Sequence, residues 1–262
     1  MSTSGFGRLV AEGANPIDTA RVLAFGILCA LIKAFFGARR WWAMIGWFAT
    51  SLVLLLFLAQ TASRGPWIGL MASIVVLAVV SNGARVVVVV ASVGFFFIRA
   101  AANTGNMTLF FNVPVLARAL ALEGDGADLT SGRAEAAGTA VRALSQFPLG
   151  VGWGNFGEVP GSGLGYVHNI VLEIGVEAGW IGLAGFIILV TYLFRCLVNF
   201  STDDSSWLFF ALFTFWLTVA FFSSDFGGNR GLWLLLGVSM GYCGVLRSGV
   251  HAHARSLVSR LK

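Results

Sequence analysis

The sequence predicts an all-α integral membrane protein: a polytopic helical bundle of about seven transmembrane helices carrying one large extracytoplasmic helical loop. Three observations carry that expectation. Hydrophobic residues make up 57% of the chain and charged residues 11%, with a mean hydropathy of +0.84, whereas a soluble domain needs roughly 25% charge to cover its surface. Long apolar runs recur from end to end. One extended hydrophilic stretch, residues 99–177, interrupts them. Soluble enzymes, disordered regulators and secreted disulfide scaffolds are excluded on these grounds. The 23 Phe and 9 Trp against 3 Tyr suit side chains facing lipid and the headgroup belt.

Taken in order, the expected spans are Ala20–Phe36, Trp41–Gln60, Pro66–Ser81, Arg85–Ile98, Ala178–Val198, Trp207–Phe222 and Gly231–Leu246. Several fall short of the roughly 20 residues that cross a bilayer at 1.5 Å each and must borrow flanking residues. Four regions follow: N-terminal transmembrane helices (1–98), an extracytoplasmic, periplasmic helical loop domain (99–177), C-terminal transmembrane helices (178–246) and a cytoplasmic basic tail (247–262). Lys33, Arg39, Arg40, Arg85, Arg195, Arg247, Arg255, Arg260 and Lys262 fall on one side by alternation, which the positive-inside rule makes cytoplasmic. The net charge of +5 therefore reports topology, and no nucleic-acid partner is expected. Cys29, Cys196 and Cys243 sit in or beside apolar runs, at spacings that match neither a metal site nor a disulfide framework. This topology starts the N-terminus outside, so further spans are expected upstream.

The outward side then receives nearly every residue suited to chemistry. In Ser63-Arg64-Gly65-Pro66-Trp67, Pro66 fits the first turn of a helix and Gly65 can cap it. Free N–H groups beside the Arg64 guanidinium make an anion site, or else Arg64 is an interfacial anchor. Leu129-Thr130-Ser131-Gly132-Arg133 opens a second helix with Asp128, Thr130 or Ser131 as cap, and Pro148 ends it. Arg133 falls on one stripe with Ala137, Val141 and Leu144, Arg142 and Gln146 marking the wetter side, and wants an anionic partner: either the Asp225 carboxylate or a ligand phosphate.

The glycines of Phe147-Pro148-Leu149-Gly150-Val151-Gly152-Trp153-Gly154-Asn155 form no Walker A loop and no dinucleotide fingerprint. They permit tight turns or close approach of substrate. His168-Asn169 begins an amphipathic stretch running into the fifth span, which places His168 in a first helical turn, where the dipole favours the neutral imidazole a general base needs; a purely structural histidine is the alternative. Glu173 and Glu177 share one helical face, as catalytic acids or as partners of an arginine or of water. Asp225, Asn229 and Arg230 form the last outward turn, where polar groups near the membrane are functional candidates, although Asp225 and Arg230 can also neutralise each other.

Together the order Ser63-Arg64-Gly65, Ser131-Gly132-Arg133, Pro148-Leu149-Gly150-Val151-Gly152 with Asn155-Phe156, then His168-Asn169 with Glu173, Glu177-Ala178-Gly179 and Gly182-Leu183 resembles the O-antigen ligase and Wzy-type polymerase family of bacterial envelope enzymes. The resemblance covers roughly Asn15 to Leu246. It implies a GT-C-like membrane fold in the bacterial inner membrane, with the active face periplasmic. It also implies transfer of a glycan from an undecaprenyl-pyrophosphate-linked donor to a sugar hydroxyl on a glycan or lipid A-core acceptor, metal-independent and inverting, with no cofactor. Carried over by motif, the catalytic residues are His168, Arg64 and Arg133. Arg64, Arg133, Asn169, Asp225 and Arg230 bind substrate, and His168 orients or deprotonates the acceptor hydroxyl while the arginines stabilise the departing pyrophosphate. Family members carry more spans, so this chain is expected to be a shortened or C-terminal portion. The competing readings are a membrane transporter or channel, which would place polar residues inside several spans, and a non-catalytic scaffold subunit of a polysaccharide export system.

Overall fold

The computed structural model describes residues 2–3, 9–10, 15–37, 40–61, 63–80, 132–163, 165–199, 204–222 and 226–260. The expected span Arg85–Ile98 and the caps Asp128, Thr130 and Ser131 lie outside them. Among the described residues the chain is helical, apart from a two-residue antiparallel pairing of Ser2–Thr3 with Leu9–Val10. Two compact units are formed, Met1–Ser131 with Asp203–Val219, and Gly132–Thr202 with Ala220–Lys262.

In the first unit α1 spans Pro16–Ile32. Asn15 caps it, its Oδ1 accepting from the Ile17 N–H at 2.9 Å, and proline opens the first turn. Ala20, Leu23, Ala24, Ile27 and Leu28 are buried, the i, i+3, i+4, i+7 spacing of a packed face. A π-helical turn, Lys33–Gly37, prolongs α1. Helix α2 spans Trp41–Gln60 and α3 spans Arg64–Val80, and α1 packs on both. Helix α6 spans Asp204–Ala220, with Phe210, Phe213 and Phe215 fully buried. Gly69 lets α3 approach α6, for a Cβ there would meet Val219 at 2.6 Å. Arg21 is only 2% exposed; it pairs with Asp18 at 3.1 Å and lies over the Trp216 ring at 5.6 Å, which offsets the several-kcal/mol cost of burying a charge.

Helix α2 shows what surrounds the protein. Trp41, Trp42, Ile45, Trp47, Val53 and Leu56 are all exposed, an apolar surface that water does not tolerate and lipid does. Hydroxyls along the helices return to their own backbone: Thr50 to the Gly46 carbonyl, Ser51 to Trp47, Ser73 to Gly69 and Thr214 to Phe210, so these four donors are met within their own helix. Among the described residues three helices, Ile17–Phe36, Trp41–Gln60 and Ile170–Asn199, are long and apolar enough to cross a membrane, and Gly65–Val79 and Trp207–Ala220 are shorter apolar helices.

In the second unit α4 spans Arg133–Gln146, a 3-10 turn covers Phe156–Glu158, α5 spans Ile170–Asn199 and α7 spans Arg230–Arg260. Helices α4 and α7 both pack on α5. The core beside α4 is Ala136, Ala140, Ala143, Phe156, Val167 and Val176. That corrects the expected stripe: Arg133 and Val141 are exposed, and Thr139 is buried with the alanines. Leu144 of the expected stripe is buried as foreseen, and the face that turns inward is that of Ala136, Thr139, Ala140 and Ala143. The cysteine reading is corrected too, since Cys196 of α5 and Cys243 of α7 form a disulfide with a Cα–Cα distance of 6.2 Å.

Candidate active site

Helix α5 is broken at Gly179 (φ 69°, ψ −170°), and the glycine-rich segment after α4 closes the break. The Val151 N–H donates to the Val176 carbonyl at 2.9 Å, Gly152 N–H to the Glu177 carbonyl at 2.9 Å, and Trp180 N–H to the Pro148 carbonyl at 3.0 Å. The groups a broken helix would leave orphaned near a membrane are thereby paired. Gly150 (φ 87°) and Gly179 face each other so closely that a Cβ on Gly150 would collide with the Glu177 carbonyl, and one on Gly179 with Leu149 and the Pro148 carbonyl. These two glycines therefore serve close approach of backbone to backbone, a role not expected from the sequence, while the positive φ of Gly150 fits the expected tight turns.

The α5 N-terminus lies beyond the break. Asn169 is its cap, its Oδ1 accepting from the N–H groups of Val171 at 3.0 Å and Leu172 at 3.1 Å. His168 therefore precedes the cap instead of occupying the first turn, a correction that follows from Asn169 winning the capping bonds. His168 holds φ 61°, and no other described non-glycine residue has positive φ. That conformation costs a non-glycine residue roughly 1–2 kcal/mol, and such strain gathers at functional sites. Its ring lies 4.1 Å from that of Tyr166.

One turn on, Glu173 is 2% exposed and Glu177 is also buried, so neither faces water. Glu173 Oε1 accepts from the Phe226 N–H at 2.7 Å, reaching the connection between α6 and α7. The same connection is held twice more. The Trp233 indole N–H donates to the Phe226 carbonyl at 2.7 Å, and Arg133 Nη1 donates to the Phe222 carbonyl at 3.0 Å. The Phe226 ring lies between Trp153 and Trp233, 4.4 Å from each. Glu173 is the residue whose part in the site the sequence conceals, because its partner lies 53 positions away.

Arg133 opens α4 after Gly132 at φ 74°, is exposed, and forms no ion pair among the described residues. Among the described residues one carbonyl, that of Phe222, accepts from its five N–H groups. Arg230 is exposed as the first residue of α7, and the carbonyl of buried Asn229 accepts from Leu232 N–H at 2.9 Å. The structure thus joins Arg133, Glu173 and the start of α7 through one connection, five residues along α5 from His168. Asp225 lies outside the described residues. Arg64 belongs to the first unit as the first residue of α3, with buried Ser63 before it. Gly65 is inside that first turn rather than capping it, Pro66 keeps its expected place, and the guanidinium lies outside the described side chains.

No curated protein and no solved structure matches the chain. A family model does: Wzy_C, O-antigen ligase, matches residues 49–187, from α2 past the α5 break, and so takes in Arg64, Arg133, the glycine-rich segment and His168-Asn169. Because that match covers just over half of the 262 residues, the chain belongs to the O-antigen ligase family of membrane enzymes that build bacterial surface polysaccharide.

Proposed function

We propose that this protein is a metal-independent, inverting glycosyltransferase that moves a glycan from an undecaprenyl-pyrophosphate-linked donor to a sugar hydroxyl, as an O-antigen ligase or polymerase. In this reading the chain crosses the bacterial inner membrane about seven times in a GT-C-like bundle, with the α5 N-terminus periplasmic. The observation that carries it is the strained His168 beside the Asn169 cap, on the helix whose Glu173 reaches the connection that Arg133 also holds.

The acceptor hydroxyl oxygen attacks the anomeric carbon and its proton passes to the His168 imidazole. The bond from that carbon to the pyrophosphate oxygen breaks with its electron pair leaving on the pyrophosphate. The products are a new glycosidic bond of inverted configuration and undecaprenyl pyrophosphate. Arg133 and Arg64 are assigned as the charge-assisted donors to the leaving pyrophosphate, Arg230 and Asp225 take supporting roles in substrate binding, and Asn169 sets the His168 backbone through its cap.

Proteoliposomes holding the full chain, a polyprenyl-pyrophosphate glycan and a sugar acceptor test this reading. His168→Ala is expected to lower kcat by roughly 10²–10⁴ and Arg133→Ala by roughly 10²–10³, with both variants inserted at the normal level. Transfer at the unaltered rate by either one overturns it.

A further inference from the structure

The second unit presents a compact set of exposed apolar side chains where no soluble surface would carry them. Leu149 at the tip of the glycine-rich segment is 77% exposed, Ile181 74% and Trp180 55%, and Phe147 is exposed beside them. The backbone joins them, since the Trp180 N–H donates to the Pro148 carbonyl.

The character of α5 changes at the same point. From Ile170 to Gly179 its side chains are mostly buried in protein, Glu173 and Glu177 included. From Trp180 onward Ile181, Ile187, Ile188, Tyr192 and Phe194 are exposed. The 20 residues from Trp180 to Asn199 rise about 30 Å, the thickness of a hydrocarbon core. On this reading Gly179 marks the level where the bilayer begins, and Pro148, next to Leu149, is tied to that level by the hydrogen bond from the Trp180 N–H.

We propose that the Pro148-Leu149-Gly150 tip is a lipid-contact site, with the Leu149 side chain seated in the acyl chains of the leaflet that α5 enters at Trp180. The occupant is lipid because the patch is continuous with the outward face of the span itself. Pro148 carries no N–H, the Gly150 N–H bonds the Phe147 carbonyl at 2.8 Å and the Val151 N–H bonds the Val176 carbonyl at 2.9 Å, which lowers the number of donors the tip brings to hydrocarbon. The tip would hold the loop beside His168 and Arg133 at a fixed height over the membrane, where a lipid-linked substrate presents its phosphates. This height argument rests on the proposed function, whereas the contact itself does not.

The test is fluorescence of an environment-sensitive maleimide on Leu149→Cys, in a Cys29→Ala background and without reductant, in proteoliposomes of the full chain. Labels on Glu158→Cys, an exposed charged position, and on Ile188→Cys in the span serve as aqueous and deep references. The Leu149 label is expected to emit to the blue of the Glu158 label, to be quenched several-fold less by iodide, and to be quenched more by lipids with a nitroxide near the headgroup than by lipids carrying it deep in the chain. Iodide quenching equal to that at Glu158 overturns the proposal, as does protection from both iodide and nitroxide lipids, which would mean a protein cover. A depth equal to that of Ile188 also overturns it, by moving the bilayer surface away from Gly179. Transfer activity is measured in the same vesicles, so loss of lipid contact and loss of catalysis are read separately.

Discussion

The two halves of α5 are built from similarly apolar residues, yet they bury them against different solvents. Before Gly179, buried neighbours such as Ala140, Ala143 and Phe156 cover the helix, and two carboxylates are shut inside. After Gly179 the side chains point outward, and only Phe186, Leu193, Cys196 and Leu197 are buried. The difference teaches that one continuous apolar run can hold both a protein-covered half and an outward-facing half, with a single glycine at the kink between them. The first half directs its hydrogen-bonding groups to the loop of Val151 and Gly152 and to Phe226. The second half has only lipid and its helical partners to satisfy.

The sharpest way to break this contrast is to heal the break. Gly179→Ala adds a Cβ at φ 69° against the backbone of Leu149 and the Pro148 carbonyl, and it should cost roughly 2–5 kcal/mol from left-handed strain and overpacking. Thermal unfolding in detergent, followed by tryptophan fluorescence, should show a large drop in Tm or no folded protein. Gly154→Ala is the control, because a Cβ there meets nothing nearby and pays only the strain of its positive φ.

A smaller effect is expected at Glu173. Glu173→Ala leaves the Phe226 N–H without its acceptor, a loss of about 1–3 kcal/mol, whereas Glu173→Gln keeps an acceptor and should recover most of it. Kinetics separates positioning from mere stability, for at a temperature where both variants are folded the alanine variant should lower kcat through the loosened connection to Arg133. An unchanged kcat would leave Glu173 a structural residue alone.

Smallest is the cap. Asn169→Ala removes the acceptor for Val171 and Leu172 and should cost about 1 kcal/mol, with Asn169→Asp near neutral. Amide hydrogen exchange should then report faster opening in the first turn of α5 and no change beyond Trp180.

How far the sequence foretold this depends on the range of the interaction. Helix α2 was legible to its ends, because a run from Trp41 to Gln60 is apolar on every face and needs no partner to define it. Pro148 rightly closes α4 at Gln146. The buried face of α4 was legible at Leu144 but not elsewhere, for hydropathy favours Val141, which is exposed, while the less apolar Ala136, Ala140 and Ala143 are buried. His168 was found by motif but misplaced by one step, because only the bonds of Asn169 reveal which residue caps. The Cys196–Cys243 link, 47 positions apart, and the Glu173–Phe226 bond arise from how helices pack, which no local pattern encodes.

The central claim is that His168 is held in a costly conformation for chemistry, and His168→Gly tests it most directly because glycine adopts φ 61° without strain. In proteoliposomes with the lipid-pyrophosphate donor, the account predicts a Tm equal to or above that of the natural protein, with stability raised by up to about 1 kcal/mol, while transfer falls by roughly 10²–10⁴. Transfer at the natural rate by the glycine variant would contradict it.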